Sequence, residues 1–470
     1  MHLTGVVLDL ITHKKVPDMR KTDVIMSMAQ RLAQRGEFER LARLLGEIPP
    51  ADTAQVLADL PLDDAVKIFS HMATELAADV LAELPDDLRR QLLDRLEPEQ
   101  IAQVVEEMPS DEATDVLQDM EPEDAREVMA DLDPDTRADI TELASYSEDT
   151  AGGIMAKEFA AVPASATAGL AIQLLRRNFR DVEDLNVVFA VDEEDRLVGS
   201  CSLRDLVLAS PDTLVSDLVA SHEHWVQSQQ DQEEVAHYMR LHDLDAVPVV
   251  DEHRRILGQI TLDDAAEVMD EEAAEDLQKI TGITAEEPVF GPLLPSLVRR
   301  LPWLLINTPL ALLAASVARA FGDTVATVPH LVAYLPVLGG IAGNAAGQTI
   351  AVFVRGLALG EVTFADMGRA LFAQGRIGLI AGAILGTLML GISSLWEGNL
   401  HLAAVVGVAL MLNCLVACLV GAFLPLLLRR VGWDPAMGAN LVTTSITDAC
   451  GYALLLGIAT MVLRYGWLLN

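Results

Sequence analysis

A lone carboxylate lies near the middle of the last long apolar stretch of this sequence. Asp448 follows Asn440 and Thr444 at intervals of four residues, so the three polar side chains share one face of a helix. A charged side chain at the centre of a bilayer costs roughly 2.5–3.5 kcal/mol on insertion scales, and such groups usually serve a function. The other apolar stretches hold no basic residue at a matching depth. The pattern therefore indicates that Asp448 lines a path for cations and does not form a buried ion pair.

Small and polar residues also interrupt the second apolar stretch. The segment Pro336–Gln348 is rich in glycine, and it places Asn344 and Gln348 on one helical face. Glycine allows membrane helices to approach closely, and proline frees backbone carbonyl groups. Helix packing alone accounts for the glycines, whereas the two amides favour a lined conduit. The residues by themselves leave both interpretations open.

The charge of the chain is divided unequally. Residues 1–300 contain 64 of the 70 acidic side chains and 26 of the 33 lysines and arginines, whereas residues 301–470 contain 6 acidic and 7 basic residues. The acidic part excludes nucleic acid as a partner, because phosphates require a basic surface. The apolar part contains five stretches long enough to cross about 30 Å of hydrocarbon, namely Leu297–Ala318, His330–Leu359, Arg376–Trp396, Leu402–Leu428 and Pro435–Leu463.

The arginines predict how these spans are oriented. Positive charges accumulate in cytoplasmic loops. If the acidic part is cytosolic, the inner flanks hold seven arginines and the outer flanks hold two, Arg319 and Arg464. We therefore expect a multi-pass protein of the cytoplasmic membrane with a cytosolic N-terminus and an external C-terminus.

A twelve-residue repeat runs through the acidic N-terminal part from Ile48 onwards. Proline follows the anchor residue by one or two positions in most units. In the last seven of the eight units, an acid comes three residues after the anchor and an aliphatic residue comes eight residues after it. Proline and an acid suit the first turn of a helix, so each unit predicts one short helix in a superhelical array. The anchors are Ile48, Leu60, Met72, Leu84, Leu96, Met108, Met120 and Leu132.

The outer face of this array carries carboxylates one turn apart, such as Asp111 and Asp115. One interpretation is a solvated surface. The other is a surface that meets a second acidic surface only when divalent cations lie between them. The local sequence does not decide between them.

Two copies of a β-α-β-β-α unit follow, and together they resemble a tandem pair of CBS domains. Each copy ends in a Ser/Thr-x-x-Asp sequence that opens a helix, with the acids at Asp205 and Asp264. The resemblance implies a regulatory module that binds adenine nucleotides such as ATP, with these two acids near the ribose. The alternative is that both acids only cap helices. The helix that starts at Leu262 is unusually acidic and leads to the first apolar stretch.

The sequence gives little support for an enzymatic function. The sequence has no G-x-x-x-x-G-K-[ST] motif for phosphate binding and no nucleophile or paired His/Glu arrangement. The four cysteines lack the spacing of a zinc site, and Cys414 and Cys418 are expected to pack as small apolar residues. Two functions other than a cation path remain possible: an ion-coupled secondary transporter regulated by the CBS pair, and a nucleotide sensor that the spans merely anchor. Secondary transporters usually have inverted repeats, and five spans cannot split into two equal halves. A sensor that is only anchored needs no aspartate in the membrane.

In the order of its parts, the chain resembles MgtE-type magnesium channels over nearly its whole length. The most specific residues are Arg299–Leu304, Pro336–Gln348 and Asp434–Ala436 leading to Asp448. The resemblance implies a homodimer in the lipid bilayer with one pore on the two-fold axis, Asp448 selecting Mg²⁺, and Asn440 in the lining. One departure is Ala346-Gly347, where family members often have glycine and a polar residue.

The resemblance also implies that cytosolic Mg²⁺ closes the pore by bridging acids of the cytosolic regions: Asp111, Asp115, Asp231, Glu233, Asp243, Asp264, Glu267, Glu275 and Asp276. We therefore predict a multidomain membrane protein in four parts. These are an all-α N-terminal superhelix (1–146), an α/β tandem CBS pair (147–261), an acidic connecting helix (262–285) and a five-helix transmembrane domain (286–470).

Overall fold

The computed structural model describes residues 21–179, 182, 185–219, 224–282 and 293–465. Residues 1–20 of the predicted superhelix, and residues 283–292 where the connecting helix was predicted to meet the membrane part, lie outside the described residues. The chain forms two compact units, Met1–Met269 and Asp270–Asn470. The boundary between them falls within a single helix.

The first unit begins with an array of short helices that follows the twelve-residue repeat. Proline occupies either the N-cap or the first turn of most of them, where its missing N–H costs no hydrogen bond. The helices are α1 Lys21–Gln34, α2 Phe38–Leu45, α3 Pro50–Ala58, α4 Leu62–Phe69, α5 Thr74–Ala82, α6 Asp86–Leu93, α7 Pro98–Val105, α8 Ser110–Gln118, α9 Pro122–Asp131 and α10 Pro134–Leu143. The predicted all-α superhelix is confirmed.

The structural repeat is twice as long as the sequence repeat. Each helix packs mainly against the next but one, as α3 does against α5 and α8 against α10. The anchors alternate accordingly: Leu60 and Leu84 are buried, whereas Met72 and Leu96 are partly buried at the edge of the core. Two successive helices are therefore needed to close one layer of the core.

After the helical array, the first unit contains two small three-stranded sheets with the same topology. In each sheet the first and second strands run parallel, and the second and third run antiparallel with a bulge near the end. Leu197 donates its backbone N–H to the Arg254 carbonyl at 2.8 Å and links the two halves. The elements are β1 Ala161–Pro163, α11 Ala168–Asn178, β2 Val187–Val191, β3 Leu197–Ser202, α12 Leu203–Leu208, β4 Val226–Gln227, α13 Gln232–His242, β5 Ala246–Val250, β6 Ile256–Thr261 and α14 Leu262–Thr281.

Among the described residues of the second unit, five helices are long and apolar enough to cross a membrane, as predicted. The fifth was predicted to start at Pro435 but starts at Ala439, because the chain turns at Gly438 with a φ of +61°. The helices, with one short connecting helix, are α15 Leu293–Ala320, α16 Gly322–Thr327, α17 Leu335–Ala358, α18 Met367–Glu397, α19 Leu400–Val431 and α20 Ala439–Arg464.

Helix α19 is the most buried of the five spans. Helix α18 packs closely on it because glycines remove the side chains between the two backbones. A Cβ built on Gly386 would lie 2.5 Å from the carbonyl oxygen of Gly407, and one on Gly378 would lie 2.9 Å from that of Cys414. Cys414 and Cys418 are buried in this contact, as the sequence predicted.

Candidate ion path and acidic clusters

The polar face of α20 lies against a glycine face of α17. A Cβ on Gly339 would collide with the carboxylate of Asp448, so the absence of a side chain makes room for that group. The next two pairs repeat the relationship at four-residue intervals with ordinary contact distances. A Cβ on Gly343 would lie 3.7 Å from Thr444 Cγ2, and one on Gly347 would lie 3.5 Å from Asn440 Oδ1.

This arrangement assigns the glycines a role that the sequence left open. They pack against the polar stripe and place no side chain of their own over it. Asp448, Thr444 and Asn440 all keep part of their surface accessible within the single chain. A row of a carboxylate, a hydroxyl and an amide at helical spacing offers oxygen ligands of the kind that hard divalent cations prefer.

Asn344 and Gln348 lie on a different face of α17. Both are exposed in the single chain, and they continue the exposed positions of Pro336 and Gly340 at four-residue intervals. The structure therefore does not bring these amides against Asp448 within one chain. Ala346, by contrast, is fully buried and supports Gly421 of α19 through its backbone.

The C-terminal end of α14 is attached to the turn before α20. Lys279 Nζ lies 2.8 Å from Glu275 Oε2 and 2.9 Å from Asp434 Oδ2, and its carbonyl accepts the N–H of Gly438 at 3.1 Å. Ile280 adds an apolar contact with the core around Ala436. This attachment was not predicted from the sequence, although an isolated lysine among acids was a signal for it.

Asp276 stands beside that attachment. Burial and then the nearby charge of Asp434 raise the pKa of Asp276 to about 6, while Lys279 opposes the rise. Burial lowers the pKa of Lys279, but its hydrogen bonds to Glu275 and Asp434 outweigh this effect and raise it. The group therefore holds three carboxylates and one ammonium, and it keeps a net negative charge near neutral pH.

A second acidic cluster lies in the first unit, where α8 faces the start of α14. Burial, followed by the charge of Asp264, raises the pKa of Asp111 well above its ordinary value and raises that of Glu112 to about 7. Asp111 Oδ1 is buried and accepts no hydrogen bond within the described residues. This oxygen of the carboxylate thus lacks a hydrogen-bond donor among the described residues.

Asp115 and Glu267 belong to the same cluster but are more exposed. Crowding by protein atoms raises the pKa of both, to about 7 for Asp115, and Arg89 opposes the rise in each case. Arg89 itself is held by Asp119 through two hydrogen bonds, from Nε at 2.9 Å and from Nη2 at 2.6 Å. The sequence predicted four acids of this cluster; Glu112 was missed, although it sits next to Asp111 in the chain.

The three predicted acids of the CBS pair lie at opposite ends of one helix. Asp231 caps the N-terminus of α13 and accepts the N–H groups of Glu233 and Glu234, whereas Asp243 lies beyond the other end with a φ of +51°. The eleven residues of α13 separate the two ends by about 16 Å. Across the described ranges, no three acidic, histidine or cysteine side chains surround a single metal position.

Both nucleotide-site candidates act as helix caps. Ser202 Oγ donates to Asp205 Oδ2 at 2.7 Å and accepts the Asp205 N–H at 3.0 Å. Asp264 Oδ2 accepts the Thr261 N–H at 2.7 Å in the equivalent place of the second copy. Both acids therefore make the capping hydrogen bonds that the Ser/Thr-x-x-Asp pattern predicts. Asp205 is nevertheless exposed, so capping leaves part of its carboxylate accessible.

Three models of known families match the chain, in four regions. Residues 48–149 match the MgtE intracellular N domain, residues 151–212 and 215–271 each match the CBS domain, and residues 335–458 match MgtE, described as a divalent cation transporter. The magnesium transporter MgtE of Thermus thermophilus is 37% identical over 332 residues, which cover 70% of this chain and 73% of the relative. The chain belongs to the MgtE family. The MgtE of Enterococcus faecalis is 35% identical and covers 70% and 72% of the two chains.

Membership of the MgtE family confirms that the chain is a membrane transport protein and not an enzyme. A solved structure described as the cytosolic domain of the Mg²⁺ channel MgtE in complex with ATP is 34% identical to this chain. It matches with a TM-score of 0.50 and covers 52% of this chain and 99% of its own. The fold of an all-α N-terminal region followed by a CBS pair is therefore shared with a known MgtE.

Proposed function

We propose that this MgtE-family member carries Mg²⁺ across the cytoplasmic membrane along the polar stripe of α20. The observation that carries the proposal is the pairing of Gly339 with the Asp448 carboxylate. A helix that crosses a membrane does not usually place a carboxylate near its middle, and here the neighbouring helix is shaped to accommodate it. Thr444 and Asn440 continue the row of oxygen atoms towards the N-terminal end of α20.

The chemistry of Mg²⁺ suits such a row. The ion demands near-octahedral oxygen coordination and dehydrates reluctantly, so it usually keeps several of its waters. One or two carboxylates with water in the remaining positions are enough, and no complete protein cage is needed. Asp448 supplies the charge and the neutral oxygens guide the hydrated ion.

The functional unit in this proposal is a homodimer with the path between the two copies. Asn344 and Gln348 support it, because exposed amides on a membrane-spanning helix are unfavourable against lipid. A second copy, or the water-filled path between two copies, gives them polar surroundings. The two Asp448 side chains then face each other across the two-fold axis.

The arginine distribution supports a cytosolic N-terminus and an external C-terminus for this dimer. The acidic clusters then face the cytosol. There hydrated Mg²⁺ ions lie among Asp111, Asp115, Asp264 and Glu267 in one place and between Glu275 and Asp276 in another, each ion contacting at most two carboxylates and keeping water in its other positions. In this way Mg²⁺ holds α14 in the position that closes the path. Asp231 and Glu233 lie at one end of α13 and Asp243 at the other, so the two ends contribute only between copies or to separate ions.

ATP is proposed as a modulator that binds the CBS pair near Asp205. The likeness to an ATP-bound cytosolic domain and the exposed carboxylate of Asp205 support this. Asp264 fits this role less well than Asp205, because it faces Asp111 and Glu112 in the acidic cluster.

Flux into liposomes that contain only this protein tests the transport proposal. We expect Mg²⁺ uptake down its gradient, and we expect Asp448→Asn to abolish it or to remove its selectivity while the dimer persists. Asp323→Asn is the matched control, since Asp323 is an exposed acid of the short helix α16. Undiminished, selective Mg²⁺ flux through Asp448→Asn would overturn the assignment of the path.

An imposed proton gradient separates this proposal from the ion-coupled secondary transporter. Channel-like flux follows the Mg²⁺ gradient and the voltage alone. Uptake that is driven uphill by protons or by sodium would instead favour the coupled transporter, with Asp448 as the group that carries the coupling ion.

A further inference from the structure

A buried amide lies directly behind the candidate ion path. Asn413, in the middle of α19, is fully buried, and its Nδ2 donates to the carbonyl oxygen of Leu338 in α17 at 3.3 Å. Its Oδ1 is also buried and has no hydrogen-bond partner in the described parts of the chain. In a hydrocarbon environment such an orphaned acceptor is costly, so apolar packing alone does not account for asparagine here.

Asn413 also touches the helix that carries Asp448. A Cβ on Gly451 would lie 2.5 Å from Asn413 Nδ2 and 3.1 Å from its Cγ, so the glycine allows α20 to rest on the amide. The amide therefore contacts both helices of the candidate path, one through a hydrogen bond and the other through close packing.

The two contacts adjoin the residues that set the carboxylate position. Leu338 precedes Gly339, whose surface accommodates the Asp448 carboxylate, and Gly451 lies one turn after Asp448 on the same helix. A shift at the Leu338 contact therefore moves Gly339, and a shift at the Gly451 contact moves Asp448. Because carbonyl 338 faces α19 and Gly339 faces α20, the amide is well placed to fix the relative height of the two helices.

We propose that Asn413 is a positioning residue that fixes the height of Asp448 relative to Gly339 and thereby sets the selectivity and apparent affinity of the path for Mg²⁺. This inference rests on the proposed function. Asn413 does not contact the ion in this scheme; it acts through the backbones of α17 and α20. The amide donor at the Leu338 carbonyl brings with it an amide oxygen, Oδ1, which stays without a hydrogen-bond partner among the described residues.

The test is Mg²⁺ flux through the full-length protein in liposomes with Asn413→Leu, which keeps the side-chain volume and removes the amide. We expect the half-saturating Mg²⁺ concentration to rise roughly tenfold, equivalent to about 1.4 kcal/mol, and the ratio of Mg²⁺ to Ca²⁺ flux to fall. The melting temperature and the amount of assembled protein should remain close to wild type. Leu415→Ala, a change at a half-buried position of the same helix whose side chain lies beside Gly375 of α18, should alter neither flux parameter.

A pair of variants keeps the test decisive if N413L does not assemble. Gly451→Ala places a methyl group against the amide and should disrupt transport. Adding Asn413→Ala to Gly451→Ala relieves the collision without restoring the hydrogen bond. We expect the double variant to assemble normally but to retain the raised half-saturating concentration.

The outcomes separate this inference from the proposed function. Wild-type half-saturation and selectivity in N413L, or in the double variant, would show that Asn413 only fills space and would overturn the inference. Absence of Mg²⁺ flux through the wild-type protein would instead overturn the proposed function, and this inference with it.

Discussion

Lys279 Nζ contacts Asp434 Oδ2 at 2.9 Å and thereby joins the last turn of α14 to the turn that precedes α20. The backbone bond from Gly438 N–H to the Lys279 carbonyl lies beside this ion pair. Exposed ion pairs are usually worth less than about 1 kcal/mol, whereas removing one partner of a partly buried pair costs more, because the other charge is left without a partner. The ammonium thus holds together acids that otherwise repel one another.

Lys279→Met should therefore weaken the attachment of α14. Without the ammonium, Glu275, Asp276 and Asp434 repel, and more Mg²⁺ is needed to hold the helix in the closing position. We expect the cytosolic Mg²⁺ concentration that half-closes the path to rise, as measured by flux from liposomes with buffered internal Mg²⁺. Lys67→Met, on an exposed position of α4, is the control.

The partner substitution sharpens this prediction. Asp434→Asn in addition to Lys279→Met removes one of the repelling charges, so the double variant should close at a Mg²⁺ concentration nearer to wild type. Unchanged closure in Lys279→Met alone would mean that the ion pair does not hold the helix.

Gly339→Ala and Gly343→Ala form a matched pair on α17. The methyl group at 339 collides with the Asp448 carboxylate, whereas the one at 343 meets Thr444 at an ordinary contact distance. We expect Gly339→Ala to reduce Mg²⁺ flux at least tenfold and Gly343→Ala to change it little, since both substitutions favour the helix equally. Equal flux in the two variants would contradict the close contact of Gly339 with the carboxylate.

Metal-free stability of the protein should fall as the pH rises. The pKa of Glu112 rises to about 7 on folding, from an ordinary value of 4.5, and that of Asp111 is also raised. Between these pH values the folded state binds a proton that the unfolded state has released, so the penalty grows from about pH 4.5 to about pH 7 and is complete above it. In EDTA, the unfolding transition of the first unit should therefore occur at a higher temperature at pH 5.5 than at pH 8.

Asp111→Asn provides the check on this interpretation. The amide removes the buried charge and can donate a hydrogen bond, so the EDTA sample should gain stability at pH 8 and depend less on pH. Added Mg²⁺ should then stabilise the variant less than the wild type. A pH dependence identical to wild type would indicate that other groups cause it.

Elements with a strong local signal were predictable from the sequence. The twelve-residue repeat fixed the helices of the N-terminal array, and hydropathy located the five spans, because both patterns record which face of a helix is buried. The 24-residue packing period was not predictable in the same way, since burial at Leu60 and at Met72 differs only through contacts with the next helix but one.

In the candidate ion path, too, the tertiary contacts were not predictable from the sequence. The stripe of Asn440, Thr444 and Asp448 was visible as a four-residue period, and the glycine-rich segment around Gly339 was visible too. The pairing of Gly339 with Asp448 was not predictable, because neither pattern records which helices pack together. Asn413 was overlooked for a related reason. A single amide within an apolar stretch has no sequence pattern, and its importance arises only from the tertiary contacts at Leu338 and Gly451.

Two substitutions separate helix capping from nucleotide binding at Asp205. Ser202→Ala removes the side chain that accepts the Asp205 N–H and should cost about 0.5–2 kcal/mol of stability, as expected for a lost N-cap. It leaves the Asp205 carboxylate in place, so millimolar ATP should still raise the melting temperature of the full-length protein by mass action. Asp205→Asn keeps a side chain that can accept from Ser202 but removes the charge, so it should lose the ATP-dependent shift while unfolding near the wild-type temperature without ATP. If both variants respond to ATP as the wild type does, Asp205 is a helix cap and does not bind the nucleotide.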